Sequence, residues 1–313
     1  MDLDVLFAGT AGSAPTVRRG LPATLVRRGG ERLLFDCGEG TQRQLIRSVG
    51  LVEIDEVFIT HFHADHVLGL PGMLKTYALQ GRQRPLRVHG PPGLTRLFEV
   101  LRPLIGRTSY EVVVQEVEAG DELARGGYVL AAFAVEHGVP ALGWALVEDE
   151  RPGVFDPARA VALGVSFGPD FGRLQRGETV LGAHGEVRPD QVMGESRRGR
   201  KVVLTGDTAA SEMTAAVAHE ADLLVHEATF LEEEAERAQA TCHSTAGDAA
   251  RVAARATVRM LALTHLSSRH TASAIRDEAR ATFEQTIVPR DFDRVLVPFA
   301  ERGSPEHVLG DGS

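Results

Sequence analysis

Four potential metal ligands fall within six residues, His61-Phe-His63-Ala-Asp65-His66. They follow directly on Glu56-Val-Phe-Ile-Thr60, an apolar run that reads as a buried strand. Imidazole and carboxylate are the ligands that borderline cations such as Zn²⁺ accept. Crowded imidazoles desolvate one another, and a cation held among them removes that cost. The cluster therefore implies a metal-dependent hydrolase. Three further candidate ligands lie downstream, each at the carboxyl end of a predicted strand. His137 follows the strand at 128–135, Asp207 that at 201–205 and His265 that at 258–264. Sites gather at strand ends because the sheet fixes the geometry while the loops are free to vary. Seven ligands divide into two four-ligand sites if Asp207 serves both. Two cations about 3.5–4 Å apart then clamp the attacking and leaving oxygens of a displacement. Structural roles are also open to the later three. Asp207 could cap a helix starting near Ala209, Ser267 could cap the next helix and leave His265 incidental, and His137 could be a capped strand-end histidine.

Holding these residues together requires a sheet framework, and the hydrophobic pattern supplies one. Period-two runs predict strands at 4–8, 23–27, 32–35, 56–60, 86–89, 111–117, 128–135, 142–147, 201–205, 223–226, 258–264 and 294–297. Helical spacing recurs at 39–49, 69–79, 94–101, 211–219, 231–240, 246–256 and 272–282. The pattern predicts an α/β chain of mixed sheets with helices outside. Residues 151–200 break it, with nine glycines, four prolines and little sustained periodicity. A structureless loop of that length does not suit a compact domain, so this segment reads as a lid, an arm or a linker.

The chain has 313 residues and is 43% hydrophobic, ample for a sizeable core, and its net charge of −9 does not point to a nucleic-acid binder. The charge is uneven, however. Residues 75–107 hold seven basic residues against one acid, and residues 151–200 hold eight arginines against six acids. Local basic patches on an acidic body still bind phosphates, because screening limits reach to a Debye length of ~8–10 Å. No run of about 18 apolar residues is present, and the N-terminus lacks the layout of a secretory signal. Cys37 and Cys242 follow no metal spacing. A cytoplasmic protein without membrane association is expected.

The order His-x-His-x-Asp-His, then isolated His, Asp and His, is the pattern of the metallo-β-lactamase superfamily. More narrowly, the chain resembles the ribonuclease Z family of tRNA 3′-processing endonucleases over nearly its whole length. The segments that carry the resemblance are Phe35-Asp-Cys-Gly-Glu-Gly-Thr-Gln-Arg-Gln44, Thr60-His-Phe-His-Ala-Asp-His66 and Leu204-Thr-Gly-Asp-Thr208. Further on they are His226-Glu-Ala-Thr-Phe230, His243-Ser-Thr-Ala246 and Thr264-His-Leu-Ser-Ser-Arg269. The resemblance implies an αβ/βα four-layer sandwich of two mixed β-sheets with helices outside. It implies one hydrolase domain over 1–313, with 151–200 inserted as a protruding, flexible arm that grips precursor tRNA. It assigns His61, His63, His137 and Asp207 to one zinc and Asp65, His66, Asp207 and His265 to the other. Two Zn²⁺ per chain are implied, although Mn²⁺ or Fe also suits such ligands.

The chemistry follows from the metals. A bound cation lowers the pKa of water from about 15.7 towards ~7, so hydroxide is available at neutral pH to attack phosphorus. Asp65 can orient that water, and the cations neutralise the charge that develops. The departing 3′-oxygen needs a proton, for which the resemblance offers His243, held by Glu227. The products would be a tRNA 3′-hydroxyl and a 5′-phosphorylated trailer. From the residues alone, His243 could merely precede a helix capped by Ser244 or Thr245, and Glu227 could pair with an arginine. The sequence Gly168-Pro-Asp-Phe-Gly-Arg-Leu-Gln-Arg-Gly-Glu-Thr-Val180 resembles the family's arm, which works across a homodimer, and it makes Arg173 and Arg176 substrate contacts, with Arg188 nearby. Arg19 is a further implied contact, in Pro15-Thr-Val-Arg-Arg-Gly20. There Val17 and Gly20 replace the lysine and asparagine common in the family, which puts rejection of CCA-ending tRNA in doubt. Two other functions fit parts of the pattern: a phosphodiesterase for small phosphodiesters, and a non-catalytic RNA-binding subunit.

Overall fold

Alternate residues of the first strand enter different buried layers. In Leu3–Gly9, the side chains of Leu3, Val5 and Phe7 join one apolar cluster, and those of Leu6 and Ala8 join another. Leu33 and Phe35 part from Leu34 in the same way, as do Val202 and Leu204 from Val203. This is the period of two that a strand imposes, and strands apolar on both faces must be covered on both. The computed structural model describes residues 1–50 and 52–310. It has two mixed sheets. The eight-stranded sheet runs in the spatial order Glu306–Val308, Arg294–Leu296, Leu3–Gly9, Ala23–Arg28, Glu31–Phe35, Glu56–Phe58, Leu86–Gly90 and Val112–Glu116. The seven-stranded sheet runs Thr286–Ile287, Leu261–Thr264, Leu223–Glu227, Lys201–Leu204, Leu142–Glu148, Tyr128–Ala134 and Glu122–Arg125.

The inner faces of the two sheets share one core. Trp144 is fully buried there and meets the Phe58 ring edge-on at 5.0 Å. Helices Thr41–Val49, Gly69–Leu79 and Leu94–Ile105 cover the outer face of the first sheet, and Ala246–Arg255 and Ala272–Arg280 that of the second. The fold is thus an αβ/βα four-layer sandwich. Polar groups tie the sheets at one end: Arg125 reaches the Glu56 carboxylate at 2.6 and 2.9 Å, and His89 Nε2 meets the same carboxylate at 2.6 Å. Burial alone would raise the Glu56 pKa, but the hydrogen bonds from His89 and Arg125 win and bring it down to about 2. Among the described residues no helix is long and apolar enough to cross a membrane.

In the two large sheets three strands escape the periodicity reading: Glu122–Arg125, Thr286–Ile287 and Glu306–Val308. All three are sheet edges, where strands are short and partly polar, so little pattern is available to read. The helix expected to end at Leu101 continues through Pro103 to Ile105, because both Leu101 and Ile105 are buried. Packing there outweighs the hydrogen bond that proline removes. The helix expected at 231–240 is divided into a 3₁₀ turn, Glu232–Glu234, and a short α-helix, Ala235–Ala240.

Residues 148–199 form a separate compact unit with a core of their own, which includes Val165, Phe171, Leu174 and Val187. The Asp156 side chain caps helix Pro157–Ala162, helix Pro169–Gln175 also opens on proline, and Val180–Gly182 pairs with Gly185–Val187 as a hairpin. Helices of six and seven residues span fewer than two turns, too short for a 3.6-residue repeat to show in sequence.

Candidate metal centre

The strand Glu56–Phe58 delivers the histidine cluster to the carboxyl end of its sheet. The Thr60 amide donates to Asp36 Oδ1 at 2.8 Å, which fixes the chain as it leaves the strand. A short helix, Ala64–Val67, then brings Asp65 and His66 inward. His137 arrives just past Tyr128–Ala134, Asp207 past Lys201–Leu204 and His265 past Leu261–Thr264. His265 holds a left-handed backbone at φ 55°, locked by the Leu266 amide bonded to the Thr10 carbonyl.

Two groups of side-chain donors converge. His61 Nε2 lies 3.0 Å from His63 Nδ1, and His137 Nε2 lies 3.3 Å from the same atom. Asp65 Oδ2 is 3.6 Å from His66 Nε2 and 3.4 Å from His265 Nε2. Asp207 Oδ2 stands between the groups, 3.7 Å from His61, 3.4 Å from His66 and 3.2 Å from His265. With bonds of ~2.0–2.1 Å, the edges of a zinc tetrahedron are about 3.3–3.4 Å. The donor separations, from 3.0 to 3.7 Å, bracket that figure.

The opposite ring nitrogens are engaged elsewhere. His61 Nδ1 meets Thr60 Oγ1 at 3.0 Å, and His66 Nδ1 meets Asp36 Oδ2 at 2.8 Å. His265 Nδ1 meets Thr229 Oγ1 at 2.8 Å, and His137 Nδ1 meets the Cys242 carbonyl at 3.1 Å. With the outer nitrogens donating, His61, His137 and His265 turn a lone pair inward; burial would lower the His66 pKa, but Asp207 and Asp36 raise it well above the imidazole range, so a cation binding there would displace a proton. His66 Nε2 and Asp207 Oδ1 are buried without a hydrogen-bond partner, as metal-ligand atoms would be. The donor set therefore fits a pair of divalent cations.

Two buried carboxylates organise four of the rings. Asp36 accepts from His66 directly and, through the Thr60 hydroxyl, orients His61. Glu227 accepts from His243 Nδ1 at 2.7 Å and, through the Thr229 hydroxyl, orients His265. Burial first, then the neighbouring imidazoles, hold His61 neutral with a pKa near 2. Burial would raise Asp207, but His265, His66 and His61 hold it well below the carboxylate range. Burial would raise Asp65 likewise, yet the His265 and His66 contacts hold it low. Neutral imidazole and ionised carboxylate are the forms that bind metal. Burial would lower His243, but Glu227 outweighs it and raises the pKa.

The alternative roles weighed from sequence fall elsewhere. Ser211, not Asp207, caps Glu212–Val217, and Thr271, not Ser267, caps Ala272–Arg280. Thr245 caps Ala246–Arg255, while the Ser244 hydroxyl donates to the Thr208 carbonyl. Glu227 meets His243, the Thr208 amide and Thr229 rather than an arginine. His226 is buried, its Nδ1 donating to the Glu227 carbonyl.

The arginines implied as substrate contacts each hold a partner within the chain. Arg19 turns inward and donates to Thr10 Oγ1 and the Pro289 carbonyl, so it braces its loop. Arg173 is paired with Glu178 and Asp170, Arg176 with Glu178, and Arg188 with Asp190. Three contributors went unassigned in sequence: Asp36, Thr60 and Thr229. Asp36 and Thr60 both sit at strand ends inside quoted motifs, which was the available signal; a hydroxyl relay needs coordinates to be seen.

This fold, with clustered donors at the carboxyl ends of its strands, is that of a metallo-β-lactamase-type protein. Residues 18–240 match the family model described as the metallo-beta-lactamase superfamily. The chain is 44% identical over 302 residues to a ribonuclease Z of Methanosarcina acetivorans, covering 95% of this chain and 99% of that protein. It is 47% identical over 307 residues to a ribonuclease Z of Haloferax volcanii, covering 96% and 97%. The solved structure of the short form of human tRNase Z superposes with a TM-score of 0.69 at 27% identity, covering 94% of this chain and 99% of that one. This chain belongs to the ribonuclease Z family.

Proposed function

We propose that the protein is a dizinc endoribonuclease that removes the 3′ trailer from precursor tRNA, leaving a tRNA 3′-hydroxyl and a 5′-phosphorylated trailer. It is proposed to act as a homodimer in the cytoplasm. The observation that carries this reading is the Glu227–His243 pair set beside the seven-ligand cluster, in a chain whose relatives are ribonucleases Z. His61, His63, His137 and Asp207 would hold one cation, and Asp65, His66, Asp207 and His265 the other. Cations there would lower the pKa of water and offset the charge gained at phosphorus.

The rest of the chemistry belongs to the chain. Asp65, kept ionised by its imidazole neighbours, accepts a proton or orients the attacking water. His243 Nδ1 is held by Glu227, which leaves Nε2 as the nitrogen able to protonate the departing 3′-oxygen. The raised pKa keeps His243 charged nearer to neutrality, as an acid must be. Residues 148–199 are proposed to contact the tRNA body. Arg173 and Arg176 would exchange exposed carboxylate partners for phosphates, at small cost because solvent screens exposed ion pairs. The test is incubation of the metal-loaded protein with a precursor tRNA bearing a 3′ trailer. A cut beside the discriminator base is expected; intact precursor at full metal occupancy overturns the reading.

A further inference from the structure

Two carboxylates each serve two rings at the metal centre, but the pairs differ in kind. Both rings on Asp36, His61 and His66, are candidate ligands. Of the rings on Glu227, His265 is a candidate ligand and His243 is the proton donor. The link between them is the Thr229 hydroxyl. It lies 2.6 Å from Glu227 Oε2, 2.8 Å from His265 Nδ1 and 3.4 Å from His243 Nδ1. Backbone bonds fix it from both sides. The Ala228 amide donates to the Thr264 carbonyl at 2.9 Å, just before His265. The Phe230 amide donates to the Ser244 carbonyl at 3.2 Å, just after His243. Thr229 is buried, and its branched side chain has little freedom at χ1. The His243 and His265 rings stack beside it, 5.4 Å apart and within 14° of parallel.

A hydroxyl has one proton to give, and here its destination is decided. Glu227 Oε2 at 2.6 Å outcompetes the His265 carbonyl at 3.3 Å, because the contact is shorter and reaches a carboxylate. A lone pair of Oγ1 is then left for His265 Nδ1, which must carry a proton. That leaves His265 Nε2 bare towards Asp65 and Asp207, 3.4 and 3.2 Å away. Donors thus run one way, from His265 through Thr229 to Glu227. At its other oxygen, Glu227 receives His243 Nδ1 at 2.7 Å and the amide of Thr208, the residue after Asp207, at 2.8 Å.

We propose that cation binding at His265 and docking of the proton donor His243 on Glu227 are coupled through the Thr229 hydroxyl. The inference rests on the function proposed above. A cation at Nε2 holds His265 in the tautomer that carries its proton on Nδ1. That tautomer turns the Thr229 proton onto Glu227 and keeps the carboxylate facing His243. Without the cation, His265 can carry its proton on Nε2 and draw the Thr229 hydroxyl to Nδ1, which strips one donor from Glu227. Such coupling is reciprocal: whatever the cation contributes to docking of His243, the Glu227 carboxylate contributes to affinity for the cation. Thr229 is therefore a positioning residue for both halves of the reaction, and the acid is assembled where the cation is present.

The test is a double-mutant cycle read as metal affinity. Zinc-loaded wild type, Glu227→Gln, Thr229→Val and the double variant are titrated with a competing chelator, with zinc quantified at each step. Thr229→Val is expected to weaken the site built on Asp65, His66 and His265 ~10–100-fold. Glu227→Gln alters a side chain outside the ligand set, yet should weaken the same site ~5-fold or more. Added to Thr229→Val it should change nothing further. Thr229→Ser, which keeps the hydroxyl, restores wild-type affinity. On precursor tRNA, kcat of Thr229→Val stays low when excess Zn²⁺ refills the site, with KM unchanged. Three results each overturn the coupling: unchanged metal affinity in Glu227→Gln, equal losses from it in both backgrounds, or full recovery of Thr229→Val kcat at saturating Zn²⁺. Failure of the wild type to cut precursor tRNA overturns the proposed function instead, and the chelator titrations judge the coupling separately.

Discussion

Replacing Asp36 by asparagine is the most informative single change at the metal centre, because one carboxylate governs a ring in each half of it. Asp36 Oδ2 accepts from His66 Nδ1 at 2.8 Å and from the Thr60 hydroxyl at 2.9 Å, and that hydroxyl accepts in turn from His61 Nδ1 at 3.0 Å. An amide keeps the shape but has one acceptor oxygen. Satisfying Thr60 with it leaves an NH₂ facing His66 Nδ1–H, and the ring escapes that clash only by moving its proton to Nε2. The protonated Nε2 is then the atom that points at Asp65 and Asp207. Losing an outer partner of this kind costs ~10–100-fold in metal affinity, or about 1.4–2.8 kcal/mol.

The loss should be lopsided. The site built on Asp65, His66 and His265 weakens, while that built on His61, His63 and His137 holds, since Thr60 keeps its acceptor. Thr60→Val reverses the pattern by stranding His61 Nδ1–H, a buried donor whose orphaning costs ~1–3 kcal/mol. Competitive chelator titration with metal quantification resolves two binding steps and assigns each loss. Equal weakening of both steps in Asp36→Asn, or no change in either variant, refutes the two-relay scheme.

Other outcomes follow from the same coordinates. His243→Asn should lower kcat ~10²–10⁴-fold with KM little changed. Glu227→Gln should move the alkaline limb of the wild-type pH–rate profile to lower pH, because the raised His243 pKa depends on that carboxylate. An unmoved limb in Glu227→Gln would remove His243 as the proton donor. Glu56 is depressed to about 2, so the stability it contributes is complete above the ordinary glutamate range near pH 4.5 and is lost as pH falls through about 2. Denaturation of the metal-free chain should accordingly steepen between those values, and Glu56→Gln should flatten that part of the curve. In Gly12→Ala the new methyl would stand 2.5 Å from His265 Nδ1 and 2.8 Å from the His265 carbonyl. His265 must give way, and metal occupancy of its site should drop at least tenfold by elemental analysis; full occupancy would show that the loop yields instead.

What could be read along the chain was whatever depends on near neighbours. The His61–His66 cluster is local, the strand periods are local, and the three later ligands were marked by the strands that end just before them. The pattern carried as far as mixed sheets with helices outside, and the four-layer sandwich itself was implied by the family resemblance of the quoted motifs. Tertiary structure alone decided which donors meet. The bond of the Thr60 hydroxyl to Asp36, that of Thr229 to His265 and that of the Ser13 amide to Asp65 all join residues far apart in sequence. It also decided the direction of charge: Arg19 turned inward, Arg173 and Arg176 paired, Arg43 and Arg290 left to solvent. A side chain's partner is set by where the backbone places both ends of a contact, and residue type specifies only what each end is able to bind.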